Sequence, residues 1–290
     1  MRIFIAGASG YLGSYLAKSM LKQHQVIALV RKNSSRKRLE GLPIEIINID
    51  QETDLNSAFK KYSPEIVINT VALYGRKGEI LSDLVEANIA FPSRLLCLAT
   101  HYNVQAFIHT GTSLPDEISI YARTKNTFVT LANIELNKKD RDKKTIKFVN
   151  VALEHFYGPE DDSSKFTSYV IDACIKGNRL ALTEGTQKRD FIYIEDVVSA
   201  YMILIEKINE LDAFETISVG SGSAPSVQEF VKLIHSCSQS DAKLDFGAVP
   251  MRVDELMYSC ADTSRLQQLG WLSHYSLEQG INATLKRERS

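Results

Sequence analysis

One segment constrains this chain more than any other. Arg2-Ile-Phe-Ile-Ala6, a short apolar run, leads without a spacer into Gly7-Ala-Ser-Gly10-Tyr-Leu-Gly13, and an amphipathic stretch begins at Tyr11. A strand that passes through glycines straight into a helix makes a sharp turn, because glycine permits reversals and close approaches that a Cβ blocks. The first N–H groups of the following helix then point outward with no intrahelical partner, and they suit a dinucleotide's pyrophosphate. Gly7, Gly10 and Gly13 make the approach, and Ser9, Tyr11 and Leu12 join them as expected cofactor contacts. The spacing is Gly-x-x-Gly-x-x-Gly rather than Gly-x-Gly-x-x-Gly.

Downstream, short β-branched runs alternate with longer amphipathic stretches, the pattern of a parallel sheet wrapped by helices. Strands are expected at Ile3-Ala6, Val26-Val30, Ile44-Ile49, Ile66-Thr70, Phe107-Thr110 and Ile146-Val149. Helices are expected from near Tyr11, Leu55, Asp83, Tyr121 and Asp196. The fold class is α/β, a Rossmann doubly wound parallel sheet with a smaller, discontinuous C-terminal lobe. Residues 1–150 read as the dinucleotide-binding domain. Residues 151–290 read mainly as a substrate lobe, with segments near 190–220 returning to the first domain. The charge run Lys138-Lys-Asp-Arg-Asp-Lys-Lys144 reads as a solvated loop.

With 290 residues the chain can bury a large core. Its 34 basic and 35 acidic residues give a net charge of −1, which argues against a dedicated nucleic-acid binder. No apolar run is long enough for a transmembrane helix, and the chain opens on a strand rather than a signal-peptide pattern. The expectation is a cytoplasmic protein without a membrane partner. The four cysteines show no metal-ligand spacing, so no metal site is expected.

The end of the second strand selects the cofactor. NAD sites place an acid there to accept from the ribose 2′-hydroxyl. Here the strand runs into Arg31-Lys-Asn-Ser-Ser-Arg-Lys-Arg38, with no acid before Glu40. A guanidinium pairs with a 2′-phosphate that a carboxylate would repel. Arg31, helped by Asn33, Ser34 or Arg36, therefore points to NADP(H). Asp50, closing the third strand, is placed to meet the adenine edge.

Tyr121-Ala-Arg-Thr-Lys125 supplies a reacting pair. Residues four apart share a helix face, and an ammonium near a phenol is expected to pull its pKa down from about 10. Such a phenol suits proton exchange with an alcohol or ketone. The preceding strand ends in His109-Thr110-Gly111-Thr112-Ser113, whose hydroxyls could bond the same substrate oxygen. His109 reads as a core histidine.

These motifs, with Phe156-Tyr-Gly-Pro159, Lys188-Arg-Asp-Phe-Ile-Tyr193 and Cys260-Ala-Asp262, resemble the extended short-chain dehydrogenase/reductase family, the NAD-dependent epimerase/dehydratases that act on nucleotide sugars. The resemblance runs from the first strand nearly to the C-terminus. It implies that Thr112 takes the family's Ser/Thr role beside Tyr121 and Lys125, that Lys125 also holds the nicotinamide ribose, and that Asn88 is the helix asparagine near the active site. It implies that Arg189 and Arg252 bind a diphosphate, and that Tyr74, Arg76, Ser113, His155 and Lys165 meet the rest of the substrate. Dehydratases of the family carry an Asp-Glu pair after the catalytic Thr; this chain has Ser113-Leu-Pro115, which removes the acid and base for water loss.

Ile68-Asn-Thr-Val-Ala-Leu-Tyr-Gly-Arg76, Gly111-Thr-Ser-Leu-Pro115, Leu153-Glu-His-Phe-Tyr-Gly158, Lys165-Phe-Thr-Ser168 and Glu255-Leu-Met-Tyr-Ser-Cys-Ala-Asp262 resemble a narrower group, the CDP-4-keto-3,6-dideoxyhexose reductases. Its paratose-forming members are nearest and its abequose-forming members next. The resemblance implies NADPH-dependent reduction of a C4 ketone in the synthesis of a dideoxy sugar for bacterial O-antigen, by a homodimer. Two other readings stand beside it: an epimerase that retains its NAD(P), and a regulator that senses NADP(H) without catalysis.

Overall fold

The computed structural model describes residues 1–138 and 146–289. The chain divides into two compact units, Met1–Ala152 with Tyr201–Ile217, and Leu153–Ala200 with Ser218–Ser290.

The first unit opens with β1 (Arg2–Ala6), α1 (Tyr11–Met20), β2 (Gln25–Val30), β3 (Glu45–Asn48), α2 (Glu52–Tyr62) and β4 (Ile66–Asn69). It continues with α3 (Leu81–Val85), one wider π turn over Glu86–Ala90, α4 (Phe91–His101), β5 (Ala106–Thr110), α5 (Ile120–Leu136) and β6 (Lys147–Leu153). Next come β7 (His155–Tyr157), α6 (Phe166–Lys176), β8 (Leu180–Leu182), β9 (Lys188–Arg189), β10 (Phe191–Tyr193), α7 (Ile194–Glu206) and β11 (Phe214–Val219). The chain closes with α8 (Val227–Ser238), β12 (Leu244–Phe246), β13 (Tyr258–Ser259), α9 (Ser264–Gln268) and α10 (Leu277–Glu288).

Among the described residues the main sheet has seven strands in the order β3-β2-β1-β4-β5-β6-β11, and β3 through β6 run parallel. The chain winds outward from β1 to β3, then crosses to β4 on the other side of β1. Such a reversal opens a crevice beyond the carboxyl ends of the two central strands, where doubly wound sheets take their ligands. The glycine turn leaves β1 at that edge, and residues 70–80 leave β4 beside it. The central strands β1, β4 and β5 are buried over nearly their whole length and mostly apolar, because both sheet faces are covered. Phe4 meets Phe59 edge-on, with ring centres 5.1 Å apart. Phe107, Phe148 and Phe214 stack in series at 5.7 and 4.8 Å. His109 is fully buried in this cluster, 4.7 Å from Phe128, as a core histidine.

Several boundaries differ from those read in the sequence. α2 and α3 start earlier than Leu55 and Asp83, because Asp54 and Asp83 are acids of the first turn. They accept from the N–H groups of Gln51 at 3.0 Å and Ile80 at 3.1 Å. β6 runs on to Leu153, past the expected Val149. α6 and α10 were not expected. Gly177, at φ 68°, ends α6, and Ser276 with Gln279 caps α10. The charge run read as a loop lies, from residue 139 to 144, outside the described residues. Among the described residues no helix is long and apolar enough to cross a membrane.

In the second unit Asp190 ties three segments together. One carboxylate oxygen accepts from the Ser221 N–H and hydroxyl, both at 2.7 Å. The other accepts from the N–H groups of Gly222 at 2.9 Å and Ala261 at 3.2 Å. Gly220 must lack a side chain, because a Cβ there would lie 2.4 Å from Asp190 Oδ2 and 2.6 Å from the Ala261 Cβ. The Gly220-Ser-Gly222 stretch is thus a receptor for a buried carboxylate.

Candidate active site

The glycine turn has the shape a pyrophosphate needs. Gly7 sits at φ 80°, in the left-handed region. A Cβ on Gly13 would stand 2.3 Å from the Gly7 carbonyl oxygen, so α1 packs onto the turn only with glycine there. Gly10 caps α1 without a side-chain bond and its first turn carries no acid, which leaves the opening N–H groups and the positive dipole end to an anion. These residues fit a dinucleotide. A Cβ on Gly7 would also lie 2.7 Å from Thr70 Oγ1 and 3.1 Å from the Val71 nitrogen, so the turn abuts the loop that follows β4.

That loop is clamped by two buried asparagines. Asn69 accepts from the Val71 N–H at 3.2 Å while its amide nitrogen meets His109 Nδ1 at 3.1 Å. Asn88, placed by the π turn, accepts from the Leu73 N–H and donates to the Leu73 carbonyl, both at 2.9 Å, and donates to Thr124 Oγ1 at 3.0 Å. Asn88 was expected as a cofactor contact; its side chain is engaged with the loop and with α5. Lys125, one turn along α5 from Tyr121 and 1% exposed, donates to the Val71 carbonyl at 3.3 Å. Burial pushes its ammonium down to about 7.

Tyr121 lies in the same unit, with the Tyr74 ring against its own at a centroid distance of 4.6 Å. The Arg76 guanidinium covers the Tyr74 ring at 5.2 Å. Burial, then the Tyr74 phenol, push the Tyr121 hydroxyl well above the usual tyrosine range, while Thr112 and the Arg76 charge act the other way. This reverses the expectation that Lys125 lowers it: the dominant influence on both groups is loss of water. Thr112 is buried and accepts from the Leu114 N–H at 3.2 Å. The buried Ser113 hydroxyl has no partner among the described residues.

At the second strand's end, Arg31 is exposed and its carbonyl accepts from the Ser34 N–H at 3.0 Å, which closes a turn around Asn33. Both Asp50 carboxylate oxygens accept from the Lys32 N–H, at 3.1 and 3.0 Å, so the acid read as an adenine contact braces this turn. Arg36 donates to Asn48 at 2.6 Å, and Arg38 lies 5.7 Å from the Tyr11 ring centre.

The second unit carries the other expected residues. Arg189 is buried, donating to Glu255 at 2.6 Å and to the Lys188 carbonyl at 2.8 Å. Burial lowers its pKa from the usual arginine value, and Glu255 opposes this. Arg252 is exposed. Lys165 pairs with buried Asp161 at 2.9 Å and lies 4.0 Å above the Phe156 ring. Half-buried His155 has Nδ1 3.6 Å from Glu154, whose carboxylate accepts from the Ser259 hydroxyl at 2.7 and 2.9 Å.

Known proteins match this layout. The family model for the NAD dependent epimerase/dehydratase family matches residues 3–220, more than half of the chain. The chain belongs to that family. Within it, the chain is similar to the CDP-abequose synthase of Salmonella typhimurium, 31% identical over 98% of this chain and 97% of the relative. Family members of solved structure share the fold. UDP-glucose 4-epimerase of Thermotoga maritima, solved with UDP-glucose, superposes with a TM-score of 0.86 at 21% identity, over 100% of this chain and 99% of that one. The Thermus thermophilus UDP-glucose 4-epimerase, solved with NAD, gives 0.85 at 18% identity, over 100% and 99%.

The sequence pointed to Tyr121, Thr112, Tyr74 and Arg76 separately, and the structure brings them together. It missed Asn69, Glu154, Glu255 and Asp190. Each is a lone polar residue whose partner is distant in sequence or is backbone, so spacing carried no signal for them. All four lie inside motifs named above, yet only their burial and partners show their tasks.

Proposed function

We propose that the chain is an NADPH-dependent reductase of the C4 ketone of a nucleotide-linked 4-keto-6-deoxy sugar. The specific reading is CDP-4-keto-3,6-dideoxyglucose reduced to CDP-paratose, or to its C4 epimer CDP-abequose, in O-antigen dideoxyhexose synthesis. The arrangement of Tyr121 beside Thr112, with Lys125 held on the loop that abuts the glycine turn, carries this reading. Full-length similarity to a CDP-abequose synthase supports the CDP-sugar.

A bound nicotinamide supplies the hydride. Thr112 and Tyr121 present two hydroxyls to the ketone oxygen, and Tyr121 gives up its proton as charge develops there. The raised pKa keeps Tyr121 in the acid form before reaction. Lys125 steadies the phenolate left behind, and the Val71 carbonyl, on a loop held by Asn69, fixes where its ammonium sits. Arg31 selects the 2′-phosphate, and the Asp50 carboxylate holds the turn that presents it. Arg189 and Arg252 serve the diphosphate, with Lys165, His155 and Ser113 as further substrate contacts. Elimination has no acid–base pair after Thr112 and drops out.

Exposed Ile80, Leu81 and Val85 near α3, and Leu131 and Ile134 on α5, support a homodimer formed through these helices. Sedimentation would test that, and a monomer at micromolar concentration would contradict it. The catalytic reading is tested with a panel of 4-keto nucleotide sugars. Stoichiometric NADPH oxidation with the CDP-linked ketone is expected. Sugar conversion without net oxidation would favour the retained-cofactor epimerase, and binding without turnover the sensor.

A further inference from the structure

Reduction leaves Tyr121 as a phenolate, which must regain a proton before the next turnover. The residues around it differ in their access to water. Lys125 is 1% exposed and its ammonium donates to the Val71 carbonyl. His109 is fully buried among phenylalanines, its Nδ1 taken by Asn69. Thr112 is buried and takes the Leu114 N–H. Tyr74 is 37% exposed, and its ring lies 4.6 Å from that of Tyr121. Its phenol interacts with the Tyr121 hydroxyl, and the Arg76 guanidinium lies 5.2 Å over its ring. A phenol that touches both Tyr121 and solvent, with a fixed cation beside it, has the parts of a proton relay.

We propose that Tyr74 returns the proton to Tyr121 after each reduction, with Arg76 stabilising the short-lived Tyr74 phenolate. This rests on the reductase reading of the same site. The Tyr74 O–H bond breaks as the Tyr121 O–H bond forms. Water then protonates Tyr74, so each ketone reduced consumes one hydride from the reduced nicotinamide and one proton from solvent. Burial holds the Tyr121 hydroxyl above the usual tyrosine range, so its phenolate favours taking a proton back. The asparagine clamps on Val71 and Leu73 set where Tyr74 starts, and Gly75, at φ 72°, turns the chain so that Arg76 comes back over the ring. Among the described residues, the charged or titratable groups that face Tyr121 are Tyr74 and Arg76 from this loop, with Lys125 further along α5.

The first test needs no cofactor. Exchange of the Tyr121 hydroxyl proton with solvent can be read by NMR as the deuterium isotope shift on its Cζ, assigned by its loss in Tyr121→Phe. Tyr74→Phe keeps the ring and should slow that exchange, and should raise the ratio of single-turnover to steady-state rate, each by about 10²-fold, the low end for a positioned proton donor. Small buffer acids should restore the steady-state rate. Arg76→Gln, which keeps both phenols, should slow the exchange in the same direction by less. Unchanged exchange in Tyr74→Phe overturns the relay. So does a parallel fall of both kinetic rates, which would mark Tyr74 as a packing residue. Should the unaltered chain reduce no nucleotide-linked ketone, the reductase reading fails, and hydroxyl exchange alone decides the relay.

Discussion

The two ends of the chemistry are built differently. Around Tyr121 the positioning contacts come from neutral groups, asparagine amides, backbone carbonyls, a threonine hydroxyl and a second phenol, and the charges beside them are the cations Lys125 and Arg76. In the second unit the expected substrate cations already hold anions of their own, Arg189 on Glu255 and Lys165 on Asp161. Neutral supports with cations beside them keep the reacting groups in place without opposing the negative charge that develops later, so this end is organised before ligand arrives. An internal carboxylate keeps a buried guanidinium satisfied, and on the proposed reading a phosphate would take its place. The first end is therefore expected to govern turnover, and the second affinity.

The largest effect should break the first end alone. Tyr121→Phe is expected to cut turnover by roughly 10²–10⁴ while cofactor affinity, read by fluorescence titration, stays near that of the unaltered chain. Unchanged turnover would remove Tyr121 from the mechanism. Gly13→Ala should abolish cofactor binding, since its Cβ would fall 2.3 Å from the Gly7 oxygen. Normal binding by that variant would show that the turn is not the cradle.

A stability measurement sharpens the contrast. Lys125 is held near 7, below the ordinary lysine value of 10.5. Above 7 the unfolded chain binds a proton at this residue that the folded chain does not, so stability rises with pH from about 7 towards 10. Beyond that the raised Tyr121 reverses the trend, because the unfolded phenol ionises first. Urea midpoints across this range should climb in the unaltered chain and flatten in Lys125→Met. An equal slope in both would place the pH dependence elsewhere.

Two smaller effects probe the charges. Arg31→Ala should weaken NADPH by about tenfold, the loss of one exposed charge-assisted pair, and leave NADH nearly untouched. Equal losses would contradict the 2′-phosphate assignment. Glu255→Gln frees the Arg189 guanidinium and should lower KM a few-fold with little change in kcat. A fall in kcat instead would mean that Glu255 serves the reaction.

The sheet and the glycine turn were legible because they depend on local pattern: Arg2 to Gly13 reads as strand, turn and helix within a dozen residues. Tyr121 and Lys125 were legible because one helix face holds both. The missed pieces are contacts between residues far apart, such as Arg189 with Glu255, or Asp190 with backbone near Gly222 and Ala261. The error in the Tyr121 pKa has one cause. Spacing shows that an ammonium is near, and only the fold shows that both groups have lost their water. α10 was hidden by a polar surface that masks its single buried stripe.

Deuterium transfer from labelled NADPH to CDP-4-keto-3,6-dideoxyglucose is the most direct measurement. The expected result is one deuterium at C4 of the sugar for each NADPH oxidised, with NMR giving paratose or abequose. Product formed without label at C4, or no reduction of the ketone, would contradict hydride delivery opposite Tyr121.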